Sequence, residues 1–129
     1  MDGAAQGRPG RRLAWAIASG LKDTENRPWK PARPVRLLIH AGLTFDRRSA
    51  AFIAGLGIAL PQTFEHRAII GTAVAAAYTT DSPSSWAEPG MWHWQLTAAV
   101  PAITPIPFRG YRRLFTPPPG WQDHFPPLM

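Results

Sequence analysis

The sequence predicts an α+β domain built on a small mixed or barrel-like sheet that two helices cover. Segments with helical or strand patterning follow one another in the order helix, strand, helix and then several strands. Proline-rich links separate the strands, and helices do not alternate regularly with them, which argues against a doubly wound fold. The length of 129 residues suits one domain with its own core.

The domain begins with a short helix and the most convincing strand of the chain. Residues 13–20 (LAWAIASG) are predicted to be helical, with Gly20 as the stop. A charged stretch follows, and 28–34 (PWKPARP) reads as a proline-rich connector. Residues 35–42 (VRLLIHAG) are apolar, partly β-branched and bounded by Pro and Gly, as strands are.

A second helix and a long strand are predicted next. Asp46 is placed as the N-cap of a helix over 47–57, where apolar residues recur at helical spacing. The alanine content of 67–80 permits a helix, but its β-branched and aromatic side chains favour a strand. Gly71 marks a possible bulge within that strand.

The rest of the domain is predicted to be strands and links. Residues 79–90 read as a loop, and 91–98 (MWHWQLTA) alternate apolar and polar side chains as a strand does. Residues 101–108 (PAITPIPF) read as a proline-punctuated connection or edge, and 110–116 as a final strand.

The two ends differ in composition from the middle. Residues 1–12 are rich in Gly and Arg without apolar periodicity, and 117–129 carry five of the fifteen prolines. We therefore expect a mobile basic N-terminal segment over 1–12, a packed domain over 13–116 and a proline-rich tail over 117–129.

Charge and composition limit the partners and the chemistry. The formal net charge of +6 favours anionic partners such as phosphates, although a basic surface also serves solubility. The absence of cysteine excludes disulfides, thiolate metal ligands and thiol nucleophiles. No apolar run approaches the ~18 residues of a membrane span, and no signal-peptide core follows the first arginines. We expect a cytoplasmic protein without a membrane partner, either a monomer or a weak homodimer.

The charged stretch "GLKDTENR" contains a candidate site. If the helix ends at Gly20 and the chain is then extended, Glu25 and Arg27 point to the same face, with Lys22 in the turn before them. Such a cluster has two readings. It is either a set of exposed ion pairs worth about 0–1 kcal/mol each, or a functional cleft.

The same letters carry a family resemblance. The pattern Gly-x-Lys-x-x-Glu-x-Arg resembles the signature of the ASCH domain family, a branch of the PUA-like β-barrels. "WAIASGLKDTENRPW" followed by "RLLIHAG" resembles the family's Trp-bearing helix, its motif and the strand after it. "RAIIGTAV", "MWHWQL" and "PIPFRGYRRLF" are similar to its later strands, in order, so the resemblance covers roughly 13–116. It implies a PUA-like mixed β-barrel of about five to six strands with two flanking helices. It also implies a cleft lined by the motif's charged residues.

The resemblance implies binding of RNA or of a modified nucleoside. In such a module Lys22 and Arg27 would contact phosphate, and Trp29, Trp92 or Trp94 would stack on a base. The residues expected to line the site are Lys22, Glu25, Arg27, Trp29, His40 and Trp94.

An enzymatic alternative stays open. Some relatives hydrolyse acetylcytidine and others are reported as ribonucleases, so the chain is either a binding module, an amidohydrolase or a nuclease. In an amidohydrolase Lys22 would shuttle a proton while Glu25 or Glu88 activates water. The four histidines show no metal-ligand spacing, and neither a metal nor a cofactor is expected.

Two departures from the family pattern are visible. Family members usually begin with a strand and a Gln-Pro before the Trp of the first helix. Here the matching region, 5–15 (AQGRPGRRLAW), is neither apolar nor alternating, so the first strand is expected to be absent, replaced or altered. The acetylcytidine-hydrolysing branch carries Thr at the position of Glu25, whereas Thr24 of this chain would face the other way on a strand.

Overall fold

The described part of the domain is a small, mostly antiparallel half-barrel with a short helix packed against it. The computed structural model describes residues 4–6, 11–41, 55–56, 67–108 and 118–126. Its elements are β1 (Ala4–Gln6), α1 (Arg11–Ala18), β2 (Thr24–Arg27), β3 (Val35–Ala41), β4 (Ala68–Thr79), β5 (Trp92–Pro107) and a 3-10 turn (Trp121–His124). Within this part of the chain no helix is long and apolar enough to cross a membrane.

The sheet has five strands in the order β1-β3-β4-β5-β2. β1 runs parallel to β3, while the other neighbours are antiparallel. The expected small mixed sheet is therefore confirmed, whereas a PUA-like topology stays a prediction. The 5–15 region, where we expected an altered first strand, contributes most of the three-residue β1.

The helix stop at Gly20 is confirmed. Gly20 has a φ of 78°, in the left-handed region that glycine adopts without strain. The backbone N–H groups of Leu21 and Lys22 both donate to the Ala16 carbonyl at 2.9 Å, which satisfies the end of α1. The chain then turns directly into β2.

The predicted strand over 67–80 is observed as β4, and its irregularity lies beside Gly71. The pairing register shifts between Ile69 and Gly71 on both sides of β4. A Cβ atom on Gly71 would lie 2.6 Å from the Cβ of Ala18. The bare glycine thus lets the last residue of α1 sit directly on the sheet.

β5 is longer than predicted: of our two alternatives for 101–108, the edge strand is confirmed and the connection is wrong. It continues from Trp92 to Pro107 as one strand. Only its first four residues pair with β2, and no described strand pairs with that side of β5 afterwards. Proline lacks a backbone N–H but is tolerated there, because it costs no ladder hydrogen bond on an outer side.

Two further predictions fall mostly outside the described residues. The expected second helix over 47–57 is described only at Gly55 and Leu56, and the expected strand over 110–116 is not described. The tail segment over 118–126 contains the 3-10 turn, which packs against the sheet.

Apolar side chains pack on both faces of the sheet. One cluster lies between α1 and the sheet, and its buried members are Ala14, Ile17, Leu37, Ile39, Ala41, Ala73, Ala75, Trp94 and Leu96. The opposite face carries a second cluster of Leu38, Ile69 and Ile106, against which Phe108, Trp121 and Phe125 pack. We refer to these as the helix face and the turn face.

Candidate functional site

The three charged residues of the motif come together as predicted. The Oε1 atom of Glu25 lies 3.6 Å from Nζ of Lys22, and its Oε2 atom lies 3.9 Å from Nη2 of Arg27. Lys22 is only 5% exposed and Glu25 is similarly buried, whereas the Arg27 side chain keeps 23% of its surface exposed. The cluster is therefore not the set of exposed surface pairs that was one of our two readings.

Local geometry explains this convergence. Pairing of β2 with β5 sets Glu25 opposite Trp94 and Arg27 opposite Trp92, so both charged side chains share the helix face. The turn after α1 brings Lys22 back towards them. Its ammonium donates to the Thr24 carbonyl, which helps to compensate for burial of the charge.

A loop covers the buried pair. Residues 80–91, here called the covering loop, connect β4 to β5 and place the Trp86 ring 5.8 Å from the Lys22 ammonium. Asn26 donates from Nδ2 to the Trp86 carbonyl at 2.8 Å and accepts from the Glu88 N–H at 2.9 Å. Ser84 donates to the Asp23 carboxylate. The loop is thus held to β2 along its length.

His93 holds the same loop from the β5 side. Its Nδ1 atom accepts from the Ser82 N–H at 3.1 Å, and its Nε2 atom donates to the Glu88 carbonyl at 2.6 Å. The ring is buried, and both of its nitrogens bond to loop backbone. Sequence reasoning missed this role because it depends on a loop that only the fold brings back to β5.

The three tryptophans proposed to stack on a base differ in exposure: Trp29 is exposed, Trp92 is half-buried and Trp94 is buried. Trp94 is fully buried, and its indole N–H donates to the Trp29 carbonyl at 3.0 Å. This corrects our expectation that Trp94 contacts nucleic acid, because a buried ring has no face to offer. Trp29 is 38% exposed and packs edge-to-face with Trp94 at 5.0 Å between ring centroids.

A cation and two further rings extend this surface. The Lys30 ammonium lies 5.3 Å from the Trp92 ring centroid and 5.7 Å from that of Tyr78. The Tyr78 hydroxyl donates to the Arg33 carbonyl at 2.8 Å, and burial raises the pKa of Tyr78 above its ordinary value of 10.0. Sequence reasoning did not select Lys30 or Tyr78, although Lys30 follows Trp29 directly.

His40 lies apart from the charged cluster. It alternates with Leu38 along β3 and so points to the turn face, where its Nε2 atom bonds to the Phe108 carbonyl and its ring packs edge-to-face with Phe108. This corrects the expectation that His40 lines the same cleft as Glu25, which points to the helix face. The strand position was right, but the direction of the side chain depends on sheet pairing.

Thr24 faces away from the cluster, as predicted. It is buried, and its hydroxyl donates to the Asp23 carboxylate at 2.9 Å. Across the described ranges, no three His, Asp or Glu side chains group as metal ligands would.

No protein-family model matches the chain, and no curated protein matches it either. The ASCH resemblance therefore rests on the motif residues and their order alone. The function proposed below is based on the arrangement of the described side chains.

Proposed function

We propose that the protein binds RNA or a modified nucleoside at the surface formed by Arg27 and Trp29. The observation that carries the proposal is the partly exposed side chain of Arg27, two residues before the exposed ring of Trp29. Guanidinium groups bind phosphate bidentately, and aromatic faces stack on unpaired bases. The net charge of +6 adds long-range attraction for a polyanion.

Lys22 and Glu25 have a supporting role in this proposal. Both Glu25 oxygens are engaged, one with Lys22 and the Asn26 N–H, the other with Arg27. The carboxylate therefore attracts the Arg27 guanidinium. Two cations share one carboxylate, so the cluster keeps a net positive charge.

Fluorescence anisotropy with a short single-stranded RNA tests the proposal. We expect Arg27→Gln to weaken binding by roughly tenfold or more, because a hydrogen bond to a charged group is lost. Arg67→Asn is the matched control: it removes the same charge at the start of β4, and Asn tolerates the local φ of 49°. Equal losses in the two variants, or no binding by the unaltered protein, would contradict the proposal.

Amide hydrolysis is a second candidate, favoured by the buried contact between Lys22 and Glu25. An ammonium and a carboxylate held 3.6 Å apart away from water form a pair suited to proton transfer. Incubation with acetylcytidine, followed by chromatography for cytidine, tests this candidate. Turnover that Glu25→Gln abolishes would support it, and the absence of turnover would leave the binding proposal.

Gel analysis of the RNA after the binding assay tests for nuclease activity.

A further inference from the structure

The connector after β2 carries a three-residue repeat. Residues 27–36 read RPWKPARPVR, so a basic residue occupies every third position and a proline follows each of the first three. The basic residues of this segment are Arg27, Lys30, Arg33 and Arg36. We call 27–33 the basic connector, because Arg36 lies within β3 and, between the helix-face residues Val35 and Leu37, points to the turn face.

The fold holds the basic connector at two points. The Trp94 indole donates to the Trp29 carbonyl at 3.0 Å, and the Tyr78 hydroxyl donates to the Arg33 carbonyl at 2.8 Å. Pro31 lies between these two points and restricts the backbone further. A segment that is already ordered loses little conformational entropy when it binds a partner.

Arg27 is paired with Glu25, whereas the other two charges of the basic connector have no described counter-charge. Lys30 and Arg33 are exposed, and neither forms an ion pair with any residue that the structure describes. The rings of Trp92 and Tyr78 lie beneath Lys30, which positions its ammonium without cancelling its charge. Cations at every third position, with an exposed indole between the first two, suit a ligand that is both anionic and aromatic.

We propose that the basic connector is a track for single-stranded RNA, with phosphates on Arg27, Lys30 and Arg33 and a base stacked on Trp29. The inference rests on the proposed function and deepens it by naming an unpaired strand as the ligand. Single-stranded nucleic acid combines backbone charge with free base faces. An acidic peptide has the charge but no base to stack, and a duplex keeps its bases stacked within itself.

The salt dependence of RNA affinity tests the track. For a single strand, each phosphate contact contributes about 0.7 to the slope of log affinity against log salt. We therefore expect Arg33→Gln and Lys30→Gln each to reduce the slope by about 0.7, and the double variant by about twice that. Arg36→Gln, which removes the next cation of the repeat from the turn face, should leave the slope unchanged.

Trp29 provides the stacking arm of the test. We expect Trp29→Ala to weaken binding by roughly 5- to 150-fold while leaving the salt slope unchanged. Lys30→Gln could disturb the rings beneath Lys30. Arg33→Gln alters only an exposed side chain, so its salt slope still reports the loss of a phosphate contact. Circular dichroism and thermal unfolding identify any variant that fails to fold.

The outcomes separate this inference from the proposed function. RNA binding with an unaltered slope in Arg33→Gln and in a folded Lys30→Gln overturns the track but leaves the proposed function standing. No binding by the unaltered protein overturns the proposed function itself. A glutamate-rich peptide of equal charge that competes as well as RNA, or a duplex that binds as tightly as the single strand, also overturns the track.

Discussion

The carboxylate of Glu25 lies 3.6 Å from the ammonium of Lys22, and both side chains are buried beneath the covering loop. Removing one partner of a buried ion pair leaves the other charge without compensation. We expect Glu25→Ala to lower the free energy of unfolding by about 3–5 kcal/mol in urea denaturation. Glu88→Ala is the matched control, since the Glu88 side chain is exposed and its loss should change stability by less than about 0.5 kcal/mol. Equal effects of the two substitutions would contradict a buried, coupled pair.

Asn26 should control how firmly the covering loop is closed. Its side chain makes hydrogen bonds to the backbone of Trp86 and Glu88, so Asn26→Ala leaves a loop carbonyl and a loop N–H without their partners. We expect a loss of about 1–3 kcal/mol and faster hydrogen exchange at the Glu88 amide. Asn26→Asp keeps the acceptor for that amide, so its exchange should change less. Unchanged exchange in the alanine variant would show that the loop is held by other contacts.

Gly71 should be intolerant of any side chain. A methyl group there would meet the Ala18 Cβ at 2.6 Å and the Val100 carbonyl at 3.1 Å, and neither atom belongs to a flexible side chain that could turn away. We expect Gly71→Ala to cost about 1–3 kcal/mol, measured as a lower midpoint of thermal unfolding. Gly55→Ala is the control, because a Cβ at Gly55 meets no atom of the described residues within 4 Å. An unchanged midpoint of thermal unfolding in Gly71→Ala would mean that α1 does not pack on β4 as described.

Tyr78 should make stability depend on pH in the alkaline range. Burial raises the pKa of Tyr78 above 10.0, so the unfolded chain ionises first as the pH rises. The unfolded state then binds fewer protons than the folded state, and stability falls with rising pH. The contribution of Tyr78 to folding stability is complete below pH 10.0 and is lost as the pH rises through the pKa of Tyr78 in the folded state. Absorbance titration should show a phenol that ionises late and disappears in Tyr78→Phe. A titration that the substitution leaves unshifted would contradict the burial.

Local patterns were sufficient to predict much of the fold. The stop at Gly20, the strands β3 and β4 and the convergence of the motif's charges follow from spacing and residue type over a few positions. The continuation of β5 was missed because proline usually ends a strand, and only the sheet order shows that one side of β5 has no described partner beyond the β2 pairing. The spacing of residues along the chain does not predict which strands pair.

The site was predicted less completely than the fold. Charge spacing located Lys22, Glu25 and Arg27, but not the burial of the first two, which depends on a loop about 60 positions along the chain. The alternation of apolar and polar residues in 91–98 selected Trp94 as a candidate, but it did not show that the rings of Trp29 and Tyr78 pack against it. His40 was assigned to the wrong face of the sheet, because the face to which its side chain points depends on how β3 pairs with its neighbours.

NMR titration of the protein with a short single-stranded RNA tests the central proposal most directly. The indole N–H of Trp29 and the guanidinium N–H of Arg27 should shift in proportion to bound RNA, because they lie at the proposed surface. The indole of Trp121 on the turn face should not shift, and it serves as the internal control. Shifts confined to Trp121, or no shifts at RNA concentrations that saturate anisotropy, would contradict a binding site at Arg27 and Trp29.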